Sequence, residues 1–316
     1  SKPGMSQPML TDDAADWNLA VPAEFAKALL ANRLRLAATA ASPSSRVGHV
    51  TPGCLGGAAG SAISVLGNTK FACGVSASVV ELSAAGTAAA AAGCHPLLAA
   101  GVVLNADLPP VCSRAFRPGP PSDTAQALTV QVSDALAQSG CLDAAQLTVG
   151  PRHRLQLHVD AVCLSADGSL PDACLLAVSA ALANLCLPRL VVPADAGHDD
   201  SNSGPSVRST AAADVGVRRC PSGEKFRPAV LRPGSAVICT SFVAIDNDQL
   251  LSVPDGREEA LPGAAIVRVF TAGGGDLPVC VVSVQMVGEA ASELVGRCCR
   301  EAVERHAACL AGPLAR

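Results

Sequence analysis

The sequence has no tyrosine, one tryptophan and only 2% aromatic residues, and charged side chains fill just 16% of its 316 positions. The missing tyrosine, set against abundant alanine, reads as coding bias and not as a functional signal. No excess of positive charge is present. At a formal net charge of −4 the chain has no global attraction for nucleic acid, so any RNA contact must come from local basic groups. No Cys-x-x-Cys occurs, and no glycine-rich loop opens a helix to cradle phosphates, so zinc-ribbon and nucleotide-binding readings have no support. The one candidate membrane span follows Asp172. It falls short of the ~20 apolar residues needed and is interrupted by Ser179 and Asn184, so no membrane partner is expected. The 14 cysteines are scattered, mostly inside apolar runs, with no leader-like segment ahead of them. Buried free thiols in a reducing compartment are expected, not a disulfide scaffold.

What is present centres on Arg152 to Pro188. Leu155, Leu157, Val159, Ala161 and Cys163 alternate with Arg154, Gln156, His158 and Asp160, the period of a strand buried on one face. Asp167-Gly168 turns the chain. Ser169 is placed to N-cap a helix, with Asp172 close to a capping box and Pro171 tolerated in the first turn. From Ala173 to Leu187 no charge occurs, and Pro188 is the expected stop. A helix apolar all round needs protein on every side.

In chain order, residues 1–35 form an N-terminal extension with a short amphipathic helix at Pro22–Leu34, and Ala37–Ser45 reads as loop. Residues 36–190 make a first domain. In it Ser61–Leu66 and Thr69–Ser78 are strands joined at Gly67-Asn68, with glycine first in a two-residue hairpin turn. Ser83–Gly101 is alanine-rich low complexity, open to helix or insertion. Leu108–Pro121 is a Pro/Gly-punctuated loop, followed by a helix over Asp123–Gln138 with Ser122 as N-cap and Gly140 past its end. Residues 191–233 read as a linker. Residues 234–316 repeat the architecture: strands at Val237–Ile245, Ile266–Phe270 and Val279–Val284, then a helix from about Glu289 to Leu310. The fold class is α+β, two β-sheet-plus-helix halves.

Several stretches resemble the RNase PH family, the fold of bacterial ribonuclease PH and of the ring subunits of the RNA exosome. GSAISVLGNTKFACGV (Gly60–Val75) resembles the family's hairpin, LPPVCSRAFRPGPPSDTAQ (Leu108–Gln126) its loop and helix start, and DGSLPDACLLAVSAALANLCLP (Asp167–Pro188) its central helix. PAEFAKALL and AVICTSFVAIDNDQLLSVPD (Ala236–Asp255) fit as well, all in the family's order. The resemblance implies an RNase PH-like (ribosomal protein S5 domain 2-like) fold. It implies other RNase PH-like ring subunits, cap subunits and single-stranded RNA as partners, and a place in nucleus, nucleolus and cytoplasm.

The departures from the family's pattern bear on activity. Active members gather several arginines around the Pro-rich loop to hold phosphate; only Arg114 and Arg117 stand there, among Pro118, Pro120, Pro121 and Ser122. Where the family carries D-V-L-Q-A-D-G-G-[ST]-R, the first Asp aligns with Val162 and the last pair with Leu170-Pro171. An apolar side chain cannot serve as an acid, and proline has no N–H to offer an anion. The expectation is therefore a non-catalytic exosome ring subunit with no catalytic residues, no metal and no cofactor. An active phosphate-dependent exoribonuclease is the alternative, and a small-molecule kinase of similar half-fold is disfavoured by the missing phosphate loop. Arg114, Arg117, Arg152 and Arg154 are the candidate RNA contacts. Asp160 and Asp167, seven apart, fit turn chemistry better than a catalytic pair, and Asp172 reads as a helix-start acid. His153 and His158 should point to opposite faces, which rules out a shared metal, and Cys94-His95 is not read as a dyad.

Overall fold

A computed structural model of the chain describes residues 48–81, 95–143, 145–149, 153–188, 190–191, 218–219, 225–226, 231–232, 234–245, 249–312 and 314. The N-terminal helix expected at Pro22–Leu34, the loop at Ala37–Ser45, most of the alanine-rich stretch, Arg152 and most of the expected linker lie outside the described residues.

The first half is a five-stranded sheet in the order β1-β2-β3-β5-β4. Its strands are β1 (His49–Pro52), β2 (Gly60–Leu66), β3 (Thr69–Glu81), β4 (Val102–Asp107) and β5 (His153–Ser165). β2 and β3 form the expected hairpin, closing at Leu66↔Thr69 with Gly67 at φ 61°. A single turn, α1 (Pro96–Ala99), precedes β4, and α2 (Asp123–Gln138) carries the chain from β4 to β5, which run parallel. Ser122 caps α2 as expected, its Oγ accepting from Ala125 N at 3.2 Å. Along β5 the alternation holds: Leu155, Leu157, Val159, Ala161 and Cys163 are buried, while Asp160 on the other face is exposed. His153 and His158 fall on opposite faces, because successive side chains alternate.

The second half is a four-stranded antiparallel sheet, β11-β10-β12-β13. It comprises β10 (Ser235–Ile245), β11 (Gln249–Ser252), β12 (Ala265–Gly274) and β13 (Leu277–Val287), with the one-turn α4 (Gly256–Glu259) after β11 and α5 (Ser292–Ala311) packed on one face. Between the halves lies α3 (Leu170–Ala183), which packs on β2 and β3 on one side and on β10 on the other. Its apolar circumference is buried as the sequence requires. One hydrophobic cluster runs through it, joining Phe71, Leu157 and Leu175 to Val237, Phe270 and Ala272 of the second sheet.

Two local expectations are corrected. The helix does not run to Leu187: it ends at Ala183 with Asn184 as its C-cap, and Leu187-Pro188 form β6, paired with β9 (Lys225-Phe226). Leu185 and Leu187 stay buried in this extended form, so an apolar run outlasts the helix that starts it. A second pair of short strands, β7 (Leu190-Val191) and β8 (Arg218-Arg219), follows. Ser169 does not cap α3: it sits at φ 47° with no side-chain cap bond, its hydroxyl drawn to the other half instead. Asp172 stands in the first turn of α3 as expected, and it is buried there, 3% exposed.

The sheet edge explains Asp172. β11 pairs with β10 only over Phe242–Ile245, which leaves earlier backbone groups of β10 without a strand partner on that side. Side chains of α3 take them. Ser179 Oγ donates to Val237 O (2.6 Å) and accepts from Val237 N (3.2 Å), and the Asp172 carboxylate accepts from Ser241 N (2.8 Å) and Ser241 Oγ (2.7 Å). Two helical turns separate Ser179 from Asp172, so one face of the helix stands in for the missing ladder.

Candidate functional site

The Pro-rich loop leaves β4 at Asp107 and reaches α2 at Ser122. Its anchor is Cys112, 8% exposed, whose carbonyl accepts from Ala166 N at 3.1 Å. Phe116 packs on the main core. Arg114 and Arg117 flank Phe116 and are exposed, and no hydrogen bond or ion pair holds either guanidinium among the described residues. Two free cations on a pinned loop suit a mobile polyanion, since neither has a carboxylate to give up on binding.

Immediately beyond Ala166, the turn Asp167–Ser169 is held from two sides. Asn68 Nδ2 of the β2–β3 hairpin donates to Asp167 Oδ2 (2.9 Å), and Thr69 Oγ1 bridges Asp167 N (3.0 Å) and Gly168 O (2.7 Å). From the second half, Gly256 N donates to Asp167 Oδ1 (3.3 Å), and Ser169 Oγ donates to Pro254 O (2.7 Å). Ser169 N donates to Glu259 Oε1 (2.8 Å). Gly168 is obligatory: at φ 77° a Cβ there would lie 2.5 Å from the Asp255 carbonyl carbon. Burial pushes the Glu259 carboxyl up, opposed by its bond to Ser169 N and the charge of Arg268. Burial likewise raises Asp172, opposed chiefly by Ser241.

These facts bear directly on the chemistry. Val162 sits in the ladder between Ala72 and Asp107, and Asp160 lies next to Asn105 on the same face. Asp160 is therefore exposed on the open sheet face while Asp167 is tied into the turn, and the two form no pair. Pro171 is buried at the start of α3, and the one amide of the turn aimed at the other half is already bonded to a carboxylate. Among the described residues no group of three His, Cys, Asp or Glu is placed to hold a metal ion. His95 Nε2 meets Asp134 Oδ1 at 2.9 Å, but its Nδ1 caps α1 through Leu97 N, so the pair positions a turn and no nucleophile.

Of the four arginines singled out in the sequence, the structure groups two. Arg154 is the second residue of β5, half-buried against Gly101, and the length of that strand separates it from the loop, roughly 35–40 Å at ~3.3 Å per residue. Sequence reading missed Glu259, Ser241 and Asn68. The only local signal near Glu259 is the Asp255/Glu258 capping box, which is real and starts α4.

Residues 44–188 match the model of the 3' exoribonuclease family, domain 1 (RNase PH). Exosome complex component rrp43 of Schizosaccharomyces pombe is 32% identical over 143 residues, 45% of this chain and 49% of that protein. Exosome complex component RRP45 of Danio rerio is 32% identical over 168 residues, 52% of this chain and 37% of that protein. The chain thus spans about half or less of the length of these relatives. Among solved structures, the Archaeoglobus fulgidus exosome with RNA bound to the active site superposes with a TM-score of 0.66 at 21% identity, covering 90% of this chain and 95% of the other. The α+β architecture of two sheet-and-helix halves is accordingly the RNase PH-like fold, residues 44–188 match the first domain of that family, and the chain resembles the exosome component rrp43.

Proposed function

We propose that the chain is a non-catalytic subunit of an RNA exosome core ring, placed among other RNase PH-like ring subunits and cap subunits and lining a path for single-stranded RNA. The observation that carries the non-catalytic part is the turn at the start of α3. Val162 stands where the family's pattern has an acid, Pro171 where it has an arginine, and Ser169 N is already bonded to Glu259. Without an acid at position 162 and an arginine at position 171, the turn lacks two of the groups that the family's pattern supplies for activating phosphate. Support for a ring position comes from β13, an edge strand of 11 residues with no charged side chain. Val281, Val284, Met286 and Val287 are 37–58% exposed along it, a surface that a neighbouring subunit would cover. Arg114 and Arg117 are the RNA contacts in this reading. The nucleus, nucleolus and cytoplasm, where exosomes would work, are the proposed locations.

Incubation with labelled single-stranded RNA, inorganic phosphate and magnesium tests the reading. No nucleoside diphosphate should be released, and co-expression with candidate neighbours should yield a complex containing one copy of the chain. Diphosphate release that survives extensive purification would make the chain an active phosphate-dependent exoribonuclease instead.

A further inference from the structure

Among the described residues only two other than glycine have positive φ, Ser169 at 47° and Val253 at 51°. They belong to different halves of the molecule and meet across one seam, where Ser169 Oγ donates to the carbonyl of Pro254, the neighbour of Val253. A left-handed β-branched residue is a genuine outlier, and such strain persists only where surrounding contacts over-determine it. The contacts here are the bonds from Gly256 to Asp167, from Ser169 to Glu259 and from Ser241 to Asp172, with Gly168 fitted against the Asp255 backbone. The seam is continuous with the arginine loop, because Ala166, the residue before Asp167, holds the carbonyl of Cys112 two residues before Arg114.

We propose that this interlocked pair of turns is a positioning device: the second half, through Glu259 and Pro254, fixes the Ala166–Ser169 turn and thereby sets the place of Arg114 and Arg117. Glu259 and Ser169 are positioning residues and touch no RNA themselves. The inference rests on the RNA contact proposed above for the two arginines. It makes the second half a determinant of RNA binding although it supplies no contact.

The experiment is a salt series of fluorescence-anisotropy titrations of the full chain with a labelled single-stranded RNA. Each phosphate contact on a single strand contributes about 0.7 to the slope of log affinity against log salt. The Arg114→Ala/Arg117→Ala double variant should lose about 1.4 of slope. Glu259→Ala should lose about 0.7 or more while its circular dichroism stays native, and Glu259→Gln, which keeps an acceptor for Ser169 N, should recover the native slope. A constant loss of folded fraction shifts the apparent midpoint by the same factor at every salt and leaves the slope untouched, so the readout separates positioning from stability. Ser169→Ala removes only the bond to Pro254 and decides the matter if Glu259→Ala does not fold; it should shift the slope in the same direction. Native slopes in the Glu259→Ala and Ser169→Ala variants overturn the positioning inference while leaving the arginine reading intact. A native slope in the double arginine variant overturns the arginine reading itself.

Discussion

β5 and β10 are the long interior strands of their sheets, 13 and 11 residues, and they obey different rules. β5 alternates between buried and open positions, since helices cover one of its faces only. β10 is buried at every position, with α3 on one face and α5 on the other. Yet β10 carries three polar residues inside, Ser235, Thr240 and Ser241 at 6%, 2% and 0% exposed, where β5 buries only His153. A strand covered on both faces normally reads as an unbroken apolar run. The difference teaches that β10 tolerates polarity because its partners are built in. Ser241 Oγ donates to Asp172, and Ser235 Oγ donates to Arg232 O at 2.7 Å. Burial on two sides then depends on a few specific bonds, where burial on one side depends on area.

The largest effect should follow from breaking the bond set peculiar to β10. Asp172→Ala leaves Ser241 N–H without an acceptor in a dry interior, and we expect a loss of about 3 kcal/mol in urea unfolding. Asp172→Asn keeps an acceptor and removes a charge that burial disfavours, so it should lie within about 1 kcal/mol of the parent. An alanine variant as stable as the asparagine one would mean that the carboxylate closes no edge. Ser179→Ala comes next, at about 1–2 kcal/mol, because it strips one partner from both the N–H and the carbonyl of Val237.

The same contrast separates what was legible in the sequence from what was not. The β2–β3 hairpin was legible because Gly67-Asn68 specifies a turn whose geometry fixes the register at Leu66↔Thr69. β5 was legible because one open face imprints a period of two. The interior position of α3 was legible because no charge interrupts it, but its end was not. Leu187 pairs with Phe226, a partner far along the chain, and stays buried, as does Leu185. The site divides in the same way. Proline and glycine mark the loop of Arg114 and Arg117, whereas the bonds of Asp172 to Ser241 and of Ser169 to Glu259 span 69 and 90 residues. No local pattern encodes a partner in the other half. Arg154 was grouped with the loop arginines by charge alone, and the strand between them sets the two apart.

A third effect is pH-dependent and belongs to the doubly covered sheet. His306 on α5 is 0% exposed, its Nε2 facing Gly273 O at 3.3 Å and its Nδ1 facing Thr271 Oγ1 at 2.8 Å. A carbonyl only accepts, which assigns the proton to Nε2 and leaves Nδ1 as acceptor. Burial pushes this imidazole below its ordinary value, opposed by the bond to Gly273. With the folded pKa depressed, the unfolded chain takes up a proton that the folded chain refuses. The stabilising contribution is therefore complete above about pH 6.5 and is lost as pH falls from there toward the folded pKa, with a slope no steeper than about 1.4 kcal/mol per unit. Asp172 and Glu259, both raised by burial, act in the opposite sense at lower pH. The measurement is consequently the difference between the stability profiles of the parent and His306→Gln. Parallel profiles between pH 7 and 5 would contradict it.

The smallest effect sharpens the comparison from the open side. On the uncovered face of the first sheet Ser78 Oγ and His158 Nε2 lie 3.0 Å apart, on paired strands and within reach of water. The bond is only slightly longer than the Asp172–Ser241 bonds at 2.8 and 2.7 Å, so bond length accounts for little of a stability difference of several-fold. It must come from what each group does when its partner is removed. His158 can bond water on the open face, whereas Ser241 N–H beneath α3 has none to meet. Ser78→Ala should accordingly change the unfolding free energy by less than about 0.5 kcal/mol, against roughly 3 kcal/mol for Asp172→Ala. A cost above about 1 kcal/mol for Ser78→Ala would show that something covers this face in solution. The same titration repeated with co-expressed neighbours would identify it, because a subunit docking there would raise the cost only in the complex.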